Sequence, residues 1–117
     1  MLLISQFSAA GYDIHITQKE YWADENKICI NKEALSKYLK TDLSIQVDNN
    51  NSASSYLVNI NKNQYPMWID SAGCDLVAKD PNTDFLNKLI EIAKALGAKV
   101  QGDEGEIYIT PDEFIFQ

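Results

Sequence analysis

Residues 80–109 constrain the fold most, because they carry helix start and stop signals followed by two strand-like runs. Asp80 is a good N-cap, and Pro81 suits the first helical turn, where no backbone N–H is needed. Apolar residues then recur at three- and four-residue spacing, as in a helix that packs against a sheet. They are Phe85, Leu86, Leu89, Ile90, Ile92, Ala93 and Leu96. Gly97 favours a left-handed conformation, so we predict a capped amphipathic helix that ends there.

A β-hairpin is predicted to follow this helix. Residues 98–101 lead into an extended segment, and residues 106–109 alternate as a returning strand. The turn between them contains Gly102 and Gly105, and glycine accepts the positive φ angles of a tight reversal. Asp103 and Glu104 lie between these glycines, so we expect an exposed acidic turn.

The rest of the chain predicts further strands and one more helix. Residues 12–17 alternate between apolar and polar side chains and predict a half-buried strand. Asn31 is a suitable N-cap for a helix over residues 32–40, which carries apolar side chains on one face. Residues 56–61, 65–70 and 74–79 are strand-like and separated by short connections, so we predict antiparallel neighbours.

This order of elements predicts an α+β fold, with an antiparallel sheet of about five to six strands and two helices packed on one side. A chain of 117 residues has room for a single domain, which we expect to include residues 1–117. Residues 1–11 are expected to form a loose arm or an edge strand. They lack the cationic start and the long apolar core of a secretory signal.

Charge and hydropathy argue against some classes of function, namely nucleic-acid binding and membrane insertion. The net charge is −7, and acidic residues cluster near the end of the chain without lysines among them. All ten cationic residues are scattered lysines, which argues against direct nucleic-acid binding and favours a basic protein partner. Acidity that serves only solubility is the alternative. No apolar run approaches the roughly 20 residues of a membrane span, and we expect a soluble, cytoplasmic protein, monomeric or weakly dimeric.

Cofactor and metal sites are not predicted. Cys29 and Cys74 are expected to be free buried thiols, with one disulfide bridge as the alternative. Together with His15 they supply too few ligands for structural zinc. Asp70 and Asp75 flank a turn and give only a weak signal for a divalent ion, since an ordinary hairpin end has the same pattern.

The best catalytic candidates are Asp13 and His15, which are two residues apart on one strand face. A carboxylate beside an imidazole can orient a general base toward Cys74 or a serine. A polar strand face that meets solvent produces the same pattern. Without a nucleophile motif, we predict that the protein is not an enzyme.

Three segments resemble recurrent segments of a family of small, largely uncharacterised bacterial proteins. The segments are residues 12–17, 21–24 and 99–108, with the sequences YDIHIT, YWAD and KVQGDEGEIY. Such proteins are similar in size, acidity and single-domain build to the immunity proteins of contact-dependent inhibition and other polymorphic toxin systems. The resemblance implies a cytoplasmic inhibitor that covers the active site or substrate surface of a toxin domain, often a nuclease.

We therefore predict a stoichiometric inhibitor that binds a basic surface of a cognate toxin. Its principal contacts are expected from Asp103, Glu104 and Glu106. Aromatic and acidic residues of an earlier loop are second-choice contacts. They are Tyr21, Trp22, Asp24 and Glu25. The alternatives are a small hydrolase or transferase that uses His15 with Asp13, and a regulatory subunit of a larger assembly.

Overall fold

The computed structural model describes residues 11–51 and 54–117. Two helices and eight strands lie within these residues. They are β1 (Asp13–Thr17), α1 (Lys32–Thr41), β2 (Ile45–Val47), β3 (Ser55–Ile60), β4 (Asn63–Ile69), β5 (Leu76–Lys79), α2 (Thr83–Ala95), β6 (Lys99–Gly102), β7 (Ile107–Thr110) and β8 (Glu113–Ile115). The arm or edge strand predicted for the first residues lies outside the described part of the chain, apart from Gly11.

The eight strands form one sheet in the order β2-β3-β4-β5-β1-β6-β7-β8, and every neighbouring pair is antiparallel. The α+β class is confirmed, but the predicted strand count is wrong. Two strands of three residues each, β2 and β8, extend the sheet at its two edges. Runs of this length lack enough alternation to be recognised from sequence.

The hydrophobic core lies on one face of the sheet. Ile14 and Ile16 of β1 share this face with Leu76, Ala78 and Val100 of the adjacent strands, as the register requires. Both helices contribute side chains to the same core. Helix α2 buries six residues, whereas α1 buries only one, Leu35, so α1 is packed much less closely.

The helix caps agree with the sequence prediction at α1 and differ at α2. Asn31 Oδ1 accepts from the backbone N–H of Ala34 at 2.9 Å, as expected of an N-cap. At α2 the cap is Asn82, and the helix begins at Thr83. Asp80 instead has φ of 46° and accepts from the backbone N–H of Tyr12 at 3.0 Å.

The predicted cap at Asp80 is therefore wrong. Its carboxylate is used to bind the start of the central strand, and its backbone N–H also donates to the Tyr12 carbonyl. The ring of Pro81 disfavours a right-handed helical conformation at the preceding residue, so the helix starts later.

An ion pair holds the C-terminal end of α1 against α2. Lys88 Nζ lies 2.7 Å from Oδ2 of Asp42, the residue that follows α1. Burial alone raises the pKa of the Asp42 carboxyl, but hydrogen bonds from Lys88, Ser44 and Tyr38 outweigh it and lower the pKa. One end of a loosely packed helix is thus fixed by charge.

A disulfide fixes the chain near the other end of α1. Cys29 is bonded to Cys74, which is 45 positions further along the sequence, and their Cα atoms are 4.1 Å apart. The backbone N–H of Ile30 also donates to the Cys74 carbonyl at 3.0 Å. The expectation of free thiols is wrong because the tertiary fold brings the segment before α1 beside the start of β5, which cysteine spacing does not reveal.

Removing this bridge should destabilise the domain. We expect the double variant Cys29→Ser, Cys74→Ser to lose roughly 2–4 kcal/mol in free energy of unfolding, because the unfolded chain regains the entropy of an open loop. Urea titration with circular dichroism measures the difference. A reductant should destabilise the wild type by a similar amount and leave the double variant unchanged. Equal stability of both proteins without reductant contradicts the prediction.

Candidate protein-interaction surface

The polar face of β1 is buried at His15 and Thr17, although the alternating pattern suggested that it meets solvent, and only Asp13 at the start of the strand stays partly exposed. His15 is 5% exposed and Thr17 is fully buried. Residues 18–31, which connect β1 to α1, contain no helix or strand and cross this face. We call this segment the covering loop. The central strand is therefore covered on both sides, by the helices on one and by the covering loop on the other.

Trp22 attaches the covering loop to the sheet. Its ring stacks on the His15 ring, with centroids 4.1 Å apart and planes 6° from parallel. Its backbone N–H donates to Gln101 Oε1 at 2.7 Å, and its indole N–H donates to the Asp103 carbonyl at 3.1 Å. Trp22 is thus mainly an internal contact, and only part of it remains accessible.

Asp103 holds the β6–β7 turn against β1. Its Oδ1 lies 2.9 Å from Nε2 of His15, and its Oδ2 accepts from the backbone N–H of Asp13 at 2.8 Å. Both carboxylate oxygens therefore have partners within the domain. The Asp103 side chain is still 32% exposed, so its outer edge remains available to a partner molecule.

Glu106 is completely buried, which removes it from the predicted contact residues. Tyr12 and Tyr108 both donate a hydroxyl hydrogen bond to Glu106 Oε2, the latter at 3.0 Å. Its Oε1 has no hydrogen-bond partner among the described residues. A Cβ atom on Gly102 would clash with this carboxylate, so the site requires glycine there.

The surroundings of this carboxylate perturb both tyrosines. Burial, followed by the hydrogen bond to Glu106, raises the pKa of Tyr12 well above its usual value. Burial and the negative charge of Glu106 likewise raise the pKa of Tyr108. Both hydroxyls therefore keep their protons at neutral pH and act as donors. Sequence reasoning missed this internal role because an acid beside a hairpin turn is usually exposed.

The remaining predicted contacts lie on two segments that meet, and all of them are at least partly exposed. Glu25 and Glu104 are exposed, Asp24 is partly exposed, and Tyr21 is 39% exposed. The Tyr21 ring lies against Gly105, and Asp24 Oδ2 accepts from the Tyr21 backbone N–H at 3.1 Å. The covering loop and the β6–β7 turn, about eighty residues apart in sequence, thus meet. We call Tyr21, Asp24, Glu25, Asp103 and Glu104 the acidic surface.

The Asp13–His15 pair does not form the arrangement expected of a general base. His15 pairs with Asp103, while Asp13 Oδ1 lies 3.5 Å from Lys79 Nζ. The His15 ring is buried beneath Trp22, and the candidate nucleophile Cys74 is in the disulfide. The geometry therefore gives His15 a packing and hydrogen-bonding role.

The acids considered for a divalent ion also have internal partners. Asp70 Oδ1 accepts from the backbone N–H of Cys74 at 2.9 Å, which stabilises the turn before β5. Asp75 is buried, and its Oδ2 lies 3.7 Å from Lys19 Nζ. Burial raises the pKa of Asp75, although Thr17 and Lys19 oppose this shift. No cluster of three or more metal-ligating side chains occurs within residues 11–51 and 54–117.

Comparison with known proteins gives no relative from which to transfer a function. No family model matches the chain, and neither curated proteins nor solved structures yield a match. In the described part of the chain, neither helix has the length and apolar character needed to cross a bilayer. The candidate function consequently depends on the chemistry of the acidic surface.

The burial of Glu106 predicts a stability effect at Tyr12. We expect Tyr12→Phe to lower the free energy of unfolding by about 1–3 kcal/mol, because Glu106 loses a donor and the Glu104 backbone N–H loses its acceptor. Tyr65→Phe is the matched control, since its hydroxyl accepts one exposed hydrogen bond, and it should cost about 0.5 kcal/mol or less. Similar losses in urea titrations of the two variants contradict an internal role for the Glu106 carboxylate.

Proposed function

We propose that this protein is a stoichiometric inhibitor that binds a basic surface of a cognate bacterial toxin domain and occludes it. The observation that carries the proposal is the meeting of the covering loop and the β6–β7 turn. Sequence reasoning selected these segments separately as contacts, and their meeting at Trp22–Asp103 and Tyr21–Gly105 supports their use as one binding surface. The acidic surface combines four carboxylates with the ring of Tyr21.

These residue types support a binding role on physical grounds. Carboxylates complement a basic partner and accelerate association with it. A partly exposed tyrosine supplies contact area that stabilises the complex once it has formed. Lys19 could oppose the local negative potential, but it is buried and paired with Asp75. A basic active site, such as that of a nuclease toxin, is a suitable target because it must attract an anionic substrate.

The surface also has a rigid base. Trp22 is held by stacking and two hydrogen bonds, and the disulfide fixes the covering loop near its C-terminal end. Side chains on such a loop lose less conformational freedom on binding than those on a free loop. This preorganisation supports direct occlusion by a folded domain.

The hydrolase alternative has less support. His15 is nearly inaccessible, and the acid that pairs with it, Asp103, holds the β6–β7 turn against β1. The two hypotheses differ in the expected effect of His15→Ala. An inhibitor that remains folded should still bind its partner, but more weakly, because Trp22 and Asp103 each lose a contact that fixes the acidic surface. A hydrolase or transferase should lose turnover. Circular dichroism of the variant checks that it remains folded.

Charge reversal on the acidic surface tests the binding proposal. We compare Glu25→Lys, Glu104→Lys with the control Glu33→Lys, Asp112→Lys, in which both residues are exposed and lie outside the acidic surface. Each double variant changes the net charge from −7 to −3, because two negative charges become positive. We expect the first variant to associate with the toxin at least about tenfold more slowly at low salt, and the control to change much less.

The toxin is obtained by capture from an extract of the native cell, with wild-type protein as bait and washes at low and then high salt. The proposal requires a basic protein that is captured in equal amount, inhibited when bound, and lost from the Glu25, Glu104 variant but not from the control. A stable partner whose activity is unaffected by binding indicates a regulatory subunit instead. Equal capture by both variants overturns the assignment of the acidic surface.

A further inference from the structure

A groove of about 370 Å³ lies between α1 and the strands near the β2 edge of the sheet. Its volume is within the range of small-molecule sites. Its apolar lining comes from both the helix and the sheet. The apolar lining residues are Leu35, Leu39, Ile45, Val47, Tyr56 and Ile69. None of the groove residues belongs to the acidic surface.

The groove is open because α1 is fixed at its ends and packs loosely between them. The Asp42–Lys88 ion pair holds one end, and the disulfide holds the chain just before the other. Between these points Leu35 is the one buried residue of the helix, while Leu39 is partly exposed. Strand β2, which forms the adjacent edge, has only three residues and leaves Val47 48% exposed.

The charges around the groove select the kind of ligand. Lys32, in the first turn of α1, and Lys40, in the last, both line it, and no acidic residue does. Neither lysine forms an ion pair within residues 11–51 and 54–117, whereas Lys88 on α2 pairs with two acids. In a protein with a net charge of −7, an apolar groove with lysines at its ends is complementary to an apolar anion.

We propose that this groove binds a fatty acid or a similar single-chain amphiphile with an anionic head group. The chain lies along Leu35, Leu39 and Val47, and the carboxylate meets Lys32. The Lys32 end is assigned to the head group because the positive end of the helix dipole adds to the lysine charge, whereas at Lys40 the dipole opposes it. The eight-residue separation of these lysines corresponds to roughly 12 Å along the helix.

Decanoate is the probe for this site, used below the concentration at which it forms micelles. Isothermal titration calorimetry should show saturable binding of one decanoate per protein. Butyrate, which has the charge without the chain, should bind far more weakly. Decyltrimethylammonium, which has the same chain with a positive head group, should also bind far more weakly. Equal binding of the two ten-carbon probes overturns the role of the lysines.

Variants locate the ligand. Lys32→Ala should weaken decanoate binding about tenfold or more, since a charge-assisted hydrogen bond is lost, and Lys40→Ala should have a smaller effect. Lys37→Ala is the matched control, because this exposed lysine is on the same helix but does not line the groove, and its affinity should stay within about twofold of wild type.

A blocking variant separates this groove from other apolar surfaces. Ser36→Trp places a large ring at the groove from an exposed helical position and should abolish decanoate binding while the circular dichroism spectrum is retained. Unchanged binding by Ser36→Trp overturns the location. If a second copy of the chain covers the groove instead, sedimentation will show a dimer and decanoate will not bind, which also overturns the proposal.

Discussion

Burial of β1 on both faces is the constraint on which the rest of the structure depends. One face of this strand carries Ile14 and Ile16 and packs in the ordinary way against the helices. The other carries His15 and Thr17, whose polar atoms lose water when the covering loop crosses them. Such burial is stable only if partners replace the water. Asp103 supplies one for His15, and the covering loop supplies the Trp22 ring above it. The β6–β7 turn and the covering loop therefore need each other to close the second face.

Sequence reasoning was strongest where one local rule determined the structure. The apolar spacing from Phe85 to Leu96 corresponds to one buried helical face. Asn31 caps the first helix as predicted, because an asparagine directly before a helical pattern is a local signal. The core face of β1 was equally clear. Sequence reasoning was weaker where two segments far apart in sequence can bind the same side chain. Asp80 is a good cap in isolation, but the backbone of Tyr12 binds its carboxylate, and no local pattern contains that information.

The acidic turn shows the same limit at the candidate site. Asp103, Glu104 and Glu106 look equivalent in sequence, yet they have three different roles. Glu104 points to solvent, Asp103 joins the turn to β1, and Glu106 is an internal acceptor for two tyrosines. The one local clue is Gly102, because glycine permits the close approach of the Glu106 carboxylate. Even that clue is ambiguous in sequence, since a glycine before an acidic turn is also expected from turn geometry alone.

Connections between these internal roles show how a loop without helix or strand is held in place, as the proposed binding surface requires. A free loop would lose conformational entropy on association, and a few exposed carboxylates contribute little to offset that loss. Here the loss is largely incurred during folding, since Trp22 and the disulfide fix the covering loop before any partner arrives. The same disulfide lies just before α1, whose loose packing leaves the lysine-flanked groove open. A single cross-link therefore supports two surfaces of opposite charge, and its loss should affect the acidic surface and the groove together.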